Sequence, residues 1–452
     1  MIAQFSQSLQ NNPVIRAVLD NSNWMIAEQG ARLLIGFTVG VWLARYLGPH
    51  DFGVFASTLA YIMIFQVLAV FGLHKVIVSE LVKGNFPEAV LLGTAAFLRT
   101  LFGFVAAALA VGMSYLFDFG ESDAKTYILV LSIILTINAY EVLDLWFQSR
   151  HRAKYAAIAN GLTALVAAGI KVIFILYELP LMAFVAVQSA EAFLKAATLV
   201  AFYFFLQHER PGLWRIELSV ARKLVPIGLP LLFTSAMVAI YMRIDQVMLA
   251  ELQGPENAGI YAVAVRLVQI WTFIPTILST TVLPFVIQAS LQDRKAFDAV
   301  LKIYFSAMVF ASYAVAVPLA IGSRVIVDGL FGEVYADATW PLVILAAGLP
   351  LVALGVARTS YLLARAHYRL YALSVFAGCA INVALNIALI PKYGEIGAAV
   401  ATVASYAVAS VGSSFLLPSL RGIGLMQVRA LLFPRIRYAD IEELRAIQIK
   451  NG

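Results

Sequence analysis

Residues 41–56 read VWLARYLGPHDFGVFA, and residues 247–262 read VMLAELQGPENAGIYA. At this offset of 206 positions (247 minus 41), seven of the sixteen residues are identical, including the Gly-Pro pair and the later glycine. Each copy lies between the end of one apolar run and the start of the next. A long-period internal repeat indicates two related halves. In membrane proteins, such halves are typical of transporters whose substrate site lies between them.

The composition of the chain is that of a membrane protein. Hydrophobic residues make up 62% of it, charged residues make up 13%, and the mean hydropathy is +0.86. A soluble domain carries about 25% charged residues, so this chain has too few polar side chains to cover a water-soluble globule. We therefore expect an integral membrane protein with little mass outside the bilayer.

Twelve apolar runs are long enough to be membrane spans, each of which needs about 20 residues. A backbone that faces lipid must satisfy its own hydrogen bonds, and these runs are too long and continuous for barrel strands, so we predict helices. The predicted fold class is an all-α integral membrane protein with two six-helix lobes, at 1–212 and 213–418, and a tail at 419–452. The predicted spans are 24–44, 52–73, 89–116, 126–148, 155–177, 181–206, 224–250, 258–287, 299–321, 339–364, 370–390 and 396–417.

The charges in the loops predict the orientation. If the N-terminus is cytoplasmic, the inside loops hold thirteen Lys and Arg residues and the outside loops hold four, as the positive-inside rule requires. Both termini are then cytoplasmic, and with six spans per half the repeat is parallel, with its axis along the membrane normal. This placement of the charges by membrane side explains the basic residues better than a nucleic-acid partner does, so we expect no such partner. The inside residues are Lys75, Lys83, Arg150, Arg152, Lys154, Arg210, Arg215, Arg222, Lys223, Arg294, Lys295, Arg365 and Arg369; the outside residues are Arg45, Lys125, Arg324 and Lys392.

The C-terminal tail combines basic and apolar side chains. The basic and apolar residues of this pattern are Arg429, Arg435 and Arg437 with Leu431, Leu432 and Phe433. This pattern fits a segment lying on an anionic leaflet. A solvated tail is the alternative, and both interpretations stay open.

Three stretches resemble one family of membrane transporters. They are NSNWMIAEQGARLLIGFTVGVWLARYLGPHDFGVFA (21–56), YMRIDQVMLAELQGPENAGIYAVAVRL (241–267) and NIALIPKYGEIGAAVAT (386–402). The chain is similar along its whole length to bacterial polysaccharide flippases, the Wzx-type members of the multidrug/oligosaccharidyl-lipid/polysaccharide exporter superfamily.

The resemblance implies a V-shaped bundle with a central cavity. It implies a flippase that moves a polyprenyl-pyrophosphate-linked oligosaccharide across the bacterial inner membrane by alternating access, from the cytoplasmic to the periplasmic leaflet. The implied partners are this substrate, membrane lipids, and the glycan polymerase and chain-length machinery. The implied functional state is a monomer.

Ionisable side chains inside the predicted spans are costly unless they meet a cavity or a partner. The spans carry eight bases and five acids: Arg32, Arg99, Lys171, Lys195, Arg243, Arg266, Lys302 and Arg358, against Glu28, Glu141, Asp144, Glu191 and Asp245. Arg32 and Lys195 each have an acid at i,i+4, and Lys302 and Arg358 lie near inner span ends. Four bases remain: Arg99, Arg243, Arg266 and Lys171. We predict that these four bind the substrate, because guanidinium groups bind phosphate oxygens bidentately.

The remaining candidates are acids and their neighbours. Glu28–Arg32 and Glu191–Lys195 are spaced i,i+4 with the acid first, which predicts an ion pair on each helix. Glu141 and Asp144 share a helix face and are expected to bridge to the basic loop at 150–152, or to form a coupling-cation site. The residues predicted to serve ion coupling or lobe structure are Glu141, Asp144, Asp245, Glu191, Lys195, Glu28 and Arg32.

Other functions have weaker support in the sequence. No Gly-rich phosphate loop with Lys-Ser/Thr appears, and the five histidines lie in loops without metal-ligand spacing, so we predict no enzyme activity, no cofactor and no metal site. A drug/cation antiporter of the same superfamily needs deep acids, whereas the deep charges here are mostly basic. A peptidoglycan-precursor flippase and a membrane-bound glycan polymerase or ligase are the further alternatives.

Overall fold

A computed structural model describes residues 13–120, 122–206, 214–290, 294–365, 367–416 and 420–434. Within these ranges all regular structure is helical. The first eight α-helices are α1 (Pro13–Val70), α2 (His74–Lys83), α3 (Glu88–Leu116), α4 (Ser122–Ile137), α5 (Val142–Ser149), α6 (Ala153–Leu176), α7 (Leu181–Leu206) and α8 (Leu218–Gln253). The others are α9 (Pro255–Gln269), α10 (Phe273–Ser290), α11 (Arg294–Ile321), α12 (Ser323–Phe331), α13 (Thr339–Ala364), α14 (Tyr368–Ala407), α15 (Ser413–Leu416) and α16 (Arg421–Leu432).

Ten helical stretches in the described part of the chain are long and apolar enough to cross a membrane. Two of them, Glu28–Lys83 and Tyr368–Leu416, have 56 and 49 residues, more than twice the roughly 20 that one crossing needs. Each is divided by a glycine with non-helical backbone angles, Gly48 (φ 72°, ψ 174°) and Gly394 (φ 52°, ψ −130°). Division at these glycines gives twelve spans at the predicted places. The prediction of an all-α, multi-pass membrane protein is confirmed.

Contacts between residues divide the chain into two compact units. Unit 1 comprises Met1–Leu47 and Thr58–Ala239, and unit 2 comprises Gly48–Ser57 and Ile240–Gly452. Helices α1 and α8 therefore each contribute to both units. The lobes at 1–212 and 213–418 remain a prediction, and their boundary lies outside the described residues.

Unit 1 has an apolar core, and the segment that begins at residue 214 is attached to it. Phe71 stacks on Phe102 with ring centroids 3.8 Å apart, inside a cluster that includes side chains of α3, α5 and α8. The backbone N–H of Arg215 donates to the carbonyl of Ala89 at 3.1 Å. A Cβ on Gly93 would lie 2.7 Å from the carbonyl oxygen of Arg215, so a glycine is needed there.

Unit 2 includes a helix from the predicted tail. In α16, Ile423 and Ala430 are buried in the apolar core, and the fully buried Gln427 donates to the carbonyl of Ser410 at 2.9 Å. The hydroxyl of Tyr313 donates to the carbonyl of Leu431 at 3.0 Å. This part of the tail is therefore packed into unit 2, an arrangement that neither predicted alternative describes. Arg435 and Arg437 lie outside the described residues.

The two copies of the sequence repeat contact each other within unit 2. Gly254 (φ 91°, ψ 164°) has nearly the backbone angles of Gly48, and each is followed by the proline that starts the next helical segment. A Cβ on Gly53 would lie 1.8 Å from the carbonyl oxygen of Pro255. A Cβ on Gly259 would lie 2.0 Å from the carbonyl oxygen of Pro49. The contact is reciprocal, so each copy needs its second glycine for the close approach of the other copy.

Candidate functional site

The ionisable side chains of the spans are distributed unevenly between the two units. Unit 1 holds four bases and four acids: Arg32, Arg99, Lys171 and Lys195, against Glu28, Glu141, Asp144 and Glu191. Unit 2 holds four bases and one acid: Arg243, Arg266, Lys302 and Arg358, against Asp245. The span charges therefore balance in unit 1 and leave an excess of three positive charges in unit 2.

One cluster of charged side chains in unit 1 comprises three residues: Arg99 on α3, Lys195 on α7, and Glu141. Glu141 ends a 3₁₀ turn, Asn138–Glu141, that connects α4 to α5. Its carboxylate accepts a hydrogen bond from Lys195 Nζ at 2.7 Å and lies 3.7 Å from Arg99 Nη2. The side chain of Arg99 is only 2% exposed, and its Nη1 and Nη2 have no hydrogen-bond partner among the described residues. A buried guanidinium in this condition is unusual, because such groups normally satisfy their donors.

Further charges surround this cluster. Arg32 Nε pairs with Glu28 Oε1 at 3.0 Å, which confirms the predicted pair on α1. Asp144 accepts from Gln148 Nε2 at 3.0 Å and also interacts electrostatically with Arg99 and Glu28.

The expected bridge from Glu141 and Asp144 to the basic loop is wrong. Arg150 in that loop pairs instead with Glu88 at the start of α3, a residue that also accepts from Trp146 Nε1 at 2.5 Å. Glu141 is held by Lys195 instead. The spacing of residues in the sequence did not reveal these two ion pairs, because Glu88 on α3 and Lys195 on α7 are far along the chain from Arg150 and Glu141, their respective partners.

The predicted pair within α7 is also wrong. Glu191 pairs with Lys171 of α6 at 3.4 Å, and Lys195 pairs with Glu141. Lys171 donates in addition to Gln188 Oε1 at 3.1 Å. Both ion pairs link different helices, because neighbouring helices bring carboxylates closer than the i,i+4 geometry does.

In unit 2, Asp245 is the centre of a buried polar cluster. Its carboxylate accepts from the Tyr261 hydroxyl at 2.5 Å, from the Thr402 hydroxyl at 3.0 Å and from the Gln246 backbone N–H at 2.8 Å. Three neutral donors thus share a carboxylate that is almost fully buried. Beside Thr402 on α14, Asn386 donates to Asn382 at 3.1 Å, and both are fully buried.

The predicted basic residues of unit 2 lie on two helices. Arg243 on α8 interacts electrostatically with Asp245 and with Tyr406. Arg266 on α9 is half-buried. Because Arg99 belongs to unit 1, a cavity that it shares with Arg243 and Arg266 stays a prediction.

Two residues of unit 2 were missed as site candidates. Arg358 is 3% exposed, and it donates to the Ala409 carbonyl at 3.1 Å and to Ser374 Oγ at 3.0 Å. Ala409 lies in a π-helical turn, Val408–Gly412, a local structure that often occurs at functional sites. Tyr261 could have been found by comparing the repeat copies, because its aligned position in the first copy is Phe55, which lacks the hydroxyl.

Comparisons with known proteins agree on family and fold. A family model described as "Polysaccharide biosynthesis protein" matches residues 18–290. Among curated protein sequences, no match was found. A solved structure described as "Lipid II flippase MurJ, inward closed conformation" is similar with a TM-score of 0.71 and 14% identity, covering 94% of this chain and 95% of that one.

Two further structures have the same fold. One is an inward-facing "multidrug resistance MATE family transporter of the MOP superfamily", with a TM-score of 0.68, 13% identity and coverage of 88% of this chain and 95% of that one. The other is a MOP superfamily transporter from Pyrococcus furiosus whose title reports a reverse polarity of the binding pocket. Its TM-score is 0.59 and its identity 16%, covering 94% of this chain and 98% of that one. The resemblance that the sequence predicted is confirmed at the level of family and fold.

Proposed function

Since the chain belongs to the polysaccharide biosynthesis protein family and has the fold of MOP-superfamily transporters, we propose that it flips a polyprenyl-pyrophosphate-linked oligosaccharide. The substrate passes by alternating access from the cytoplasmic to the periplasmic leaflet of a bacterial inner membrane. Both chain termini are cytoplasmic in this proposal, as the loop charges predict.

The observation that carries the proposal is the excess of positive charge in the spans of unit 2. Four bases accompany one acid there, and that acid is already bonded to Tyr261 and Thr402. Bases at membrane depth favour an anionic solute, since the cost of their burial is offset by a negative partner. A pyrophosphate supplies oxygens that guanidinium groups bind in pairs. A cationic drug would instead need an excess of acids.

The proposal assigns two groups of residues. Arg99, Arg243, Arg266 and Lys171 bind the pyrophosphate. Ion coupling or lobe structure is assigned to the acids and their neighbours: Glu141, Asp144, Asp245, Glu191, Lys195, Glu28 and Arg32. The protein is a transporter rather than an enzyme, so the driving force comes from an ion gradient, the membrane potential or consumption of the product.

A reconstitution experiment tests the proposal. Purified protein is inserted into vesicles that carry a fluorescent polyprenyl-pyrophosphate oligosaccharide, and the fraction accessible to an external glycan-modifying enzyme is measured over time. We expect protein-dependent transfer between leaflets. Equal rates in protein-containing and empty vesicles would contradict the proposal. In cells, deletion should cause one lipid-linked glycan to accumulate on the cytoplasmic leaflet.

A second candidate is a peptidoglycan-precursor flippase. The fold similarity to a lipid II flippase favours it, and its substrate has the same polyprenyl-pyrophosphate chemistry. The vesicle assay separates the two candidates when lipid II and the oligosaccharide lipid are offered in parallel, because the true substrate moves faster.

Orientation is tested separately by cysteine labelling. Single cysteines at Asp123 and Asp337, in a Cys379→Ser background, should react with an impermeant reagent from the periplasmic side. Reaction of either site only from the cytoplasmic side would contradict the proposed topology.

A further inference from the structure

We propose that unit 1 contains a phosphate-binding site at Arg99 and Lys195 in which the carboxylate of Glu141 acts as an internal substitute ligand until a phosphate displaces it. The inference rests on the proposed function, because it adds a defined binding step to it. The ligand class is an anion with at least two phosphate oxygens, such as a pyrophosphate.

The unsatisfied guanidinium of Arg99 is the first argument. Nη1 and Nη2 are buried and have no hydrogen-bond partner among the described residues. The nearest carboxylate oxygen belongs to Glu141, and at 3.7 Å it is beyond normal hydrogen-bond distance. A buried donor left unsatisfied is costly. An incoming oxygen pair would satisfy both nitrogens in the bidentate geometry that guanidinium groups prefer.

The second argument is the ratio of charges. Among the described residues, Glu141 is the acid within ion-pair distance of both Lys195 and Arg99, so these three side chains have a net charge of +1. Asp144 acts on Arg99 electrostatically, without an ion pair or a hydrogen bond to it in the described part of the chain. Glu141 Oε1 bonds to Lys195 at 2.7 Å, whereas its Oε2 lies 3.7 Å from Arg99 Nη2, beyond hydrogen-bond distance. A phosphate anion carries more oxygens and more charge than a carboxylate, and it can bond to both bases at once.

The third argument is access. The side chains of Glu141 and Lys195 are 26% and 21% exposed, whereas that of Arg99 is 2% exposed. A ligand therefore reaches Arg99 by way of the other two residues and must move Glu141 aside. The 3₁₀ turn that ends at Glu141 is a weaker helical segment than the α-helices on either side of it.

An ion pair on another helix of unit 1 provides the control. On α2, Lys83 Nζ donates to Glu80 Oε1 at 3.1 Å, and Asn85 Nδ2 donates to Glu80 Oε2 at 2.8 Å. One acid matches one base there, and the side chain of Lys83 is 57% exposed. Neither residue is assigned to substrate binding, so Glu80→Gln removes an acid beside a base without altering the proposed site.

The experiment measures binding of inorganic pyrophosphate to the purified full-length protein by titration calorimetry. Glu141→Gln removes the competing charge while keeping the shape, so the affinity should rise about tenfold, since an opposing ionic contact of about 1.4 kcal/mol is lost. Arg99→Ala should lower the affinity at least about tenfold, and Glu80→Gln should leave it within about twofold. An unchanged or lower affinity in folded Glu141→Gln protein would overturn the inference.

If Glu141→Gln does not fold, the pair Arg99→Ala and Arg99→Lys decides. Arg99→Lys should bind pyrophosphate more tightly than Arg99→Ala, because a lysine retains the charge. Equal affinities for Arg99→Ala and the wild type would refute the site.

Two sources can supply the phosphate, and separate arms distinguish them. Polyprenyl pyrophosphate that competes with inorganic pyrophosphate at an Arg99-dependent site assigns the site to the transported lipid. Competition only by phosphatidylglycerol in nanodiscs assigns it to a bilayer headgroup. Transport by the wild type together with no effect of Glu141→Gln on binding would reject this inference alone. A wild type that moves no polyprenyl-pyrophosphate oligosaccharide would reject the proposed function, even if inorganic pyrophosphate binds.

Discussion

In unit 1 the four bases of the spans are matched in number by four acids, whereas in unit 2 four bases accompany Asp245 alone. Alignment of the repeat locates part of this difference. Arg243, Asp245 and Arg266 correspond, 206 positions earlier, to an apolar phenylalanine, valine and alanine at 37, 39 and 60. The two copies of the repeat therefore differ in the charges that they carry at these positions.

The backbone geometry of the repeat is the same in both copies. Gly48 and Gly254 have similar positive φ angles, and Gly53 and Gly259 each lie against the other copy's proline carbonyl. A backbone contact requires the same residue on both sides, whereas a solute site needs charge only where the solute lies. The comparison indicates that the glycines serve the architecture of the repeat, whereas the proposed function assigns Arg243 and Arg266 to the substrate.

The largest expected effect concerns the shared glycines. Gly53→Ala and Gly259→Ala should each destabilise the protein by about 3 kcal/mol, because the new methyl group collides with a backbone oxygen that cannot move alone. Membrane abundance and thermal unfolding in detergent measure this effect. Gly112→Ala is the control, since it lies inside α3 with no atom within 4 Å of the added carbon. Unequal losses of stability in the two variants would contradict the reciprocal contact between the two repeat copies.

Arg99→Ala should abolish glycan export while the protein still folds. Nη1 and Nη2 of Arg99 have no hydrogen-bond partner among the described residues, so its removal gives up only the long ion pair with Glu141, which keeps its bond to Lys195. Arg99→Lys should keep about one tenth of the activity, because the charge remains without the bidentate geometry. Surface glycan and membrane abundance are measured together. Normal export in Arg99→Ala would rule out a role in binding, and low abundance would favour a structural role.

Arg243→Ala and Arg266→Ala should each lower the flipping rate about 30-fold, since loss of a buried charge contact costs about 2 kcal/mol. The corresponding lysine variants should recover part of that loss. The vesicle assay gives the rates, and unfolding temperature serves as the control for folding. Full activity in both alanine variants would mean that the excess charge of unit 2 has no role in transport.

The smallest expected effect is a change in stability when the Glu141–Lys195 ion pair of unit 1 is reversed. Glu141→Lys and Lys195→Glu should each lower stability, and the double variant should recover about 1 kcal/mol through the reversed pair. The analogous exchange of Arg243 and Asp245 should give no recovery, because Asp245 is bonded to Tyr261 and Thr402. Double-mutant cycles on thermal unfolding measure both coupling energies. Equal recovery of stability in the two double variants would mean that Arg243 and Asp245 are coupled as strongly as Glu141 and Lys195, against this prediction.

The sequence alone was sufficient for the spans and the family. Apolar length is a local property, so the twelve spans could be placed by counting, and the Gly-Pro repeat indicated the two halves. The pair Glu28–Arg32 was also predictable, because its partners are one helical turn apart.

Only the tertiary structure decided which side chains meet. Glu141 bonds to Lys195, 54 positions away, and Asp245 bonds to Thr402, 157 positions away. A helix that is apolar on all sides carries no periodic signal for its rotation, so its sequence does not specify which face meets which neighbour. For the same reason the burial of Arg99, and the packing of α16 into unit 2, could be seen only once the helices were assembled.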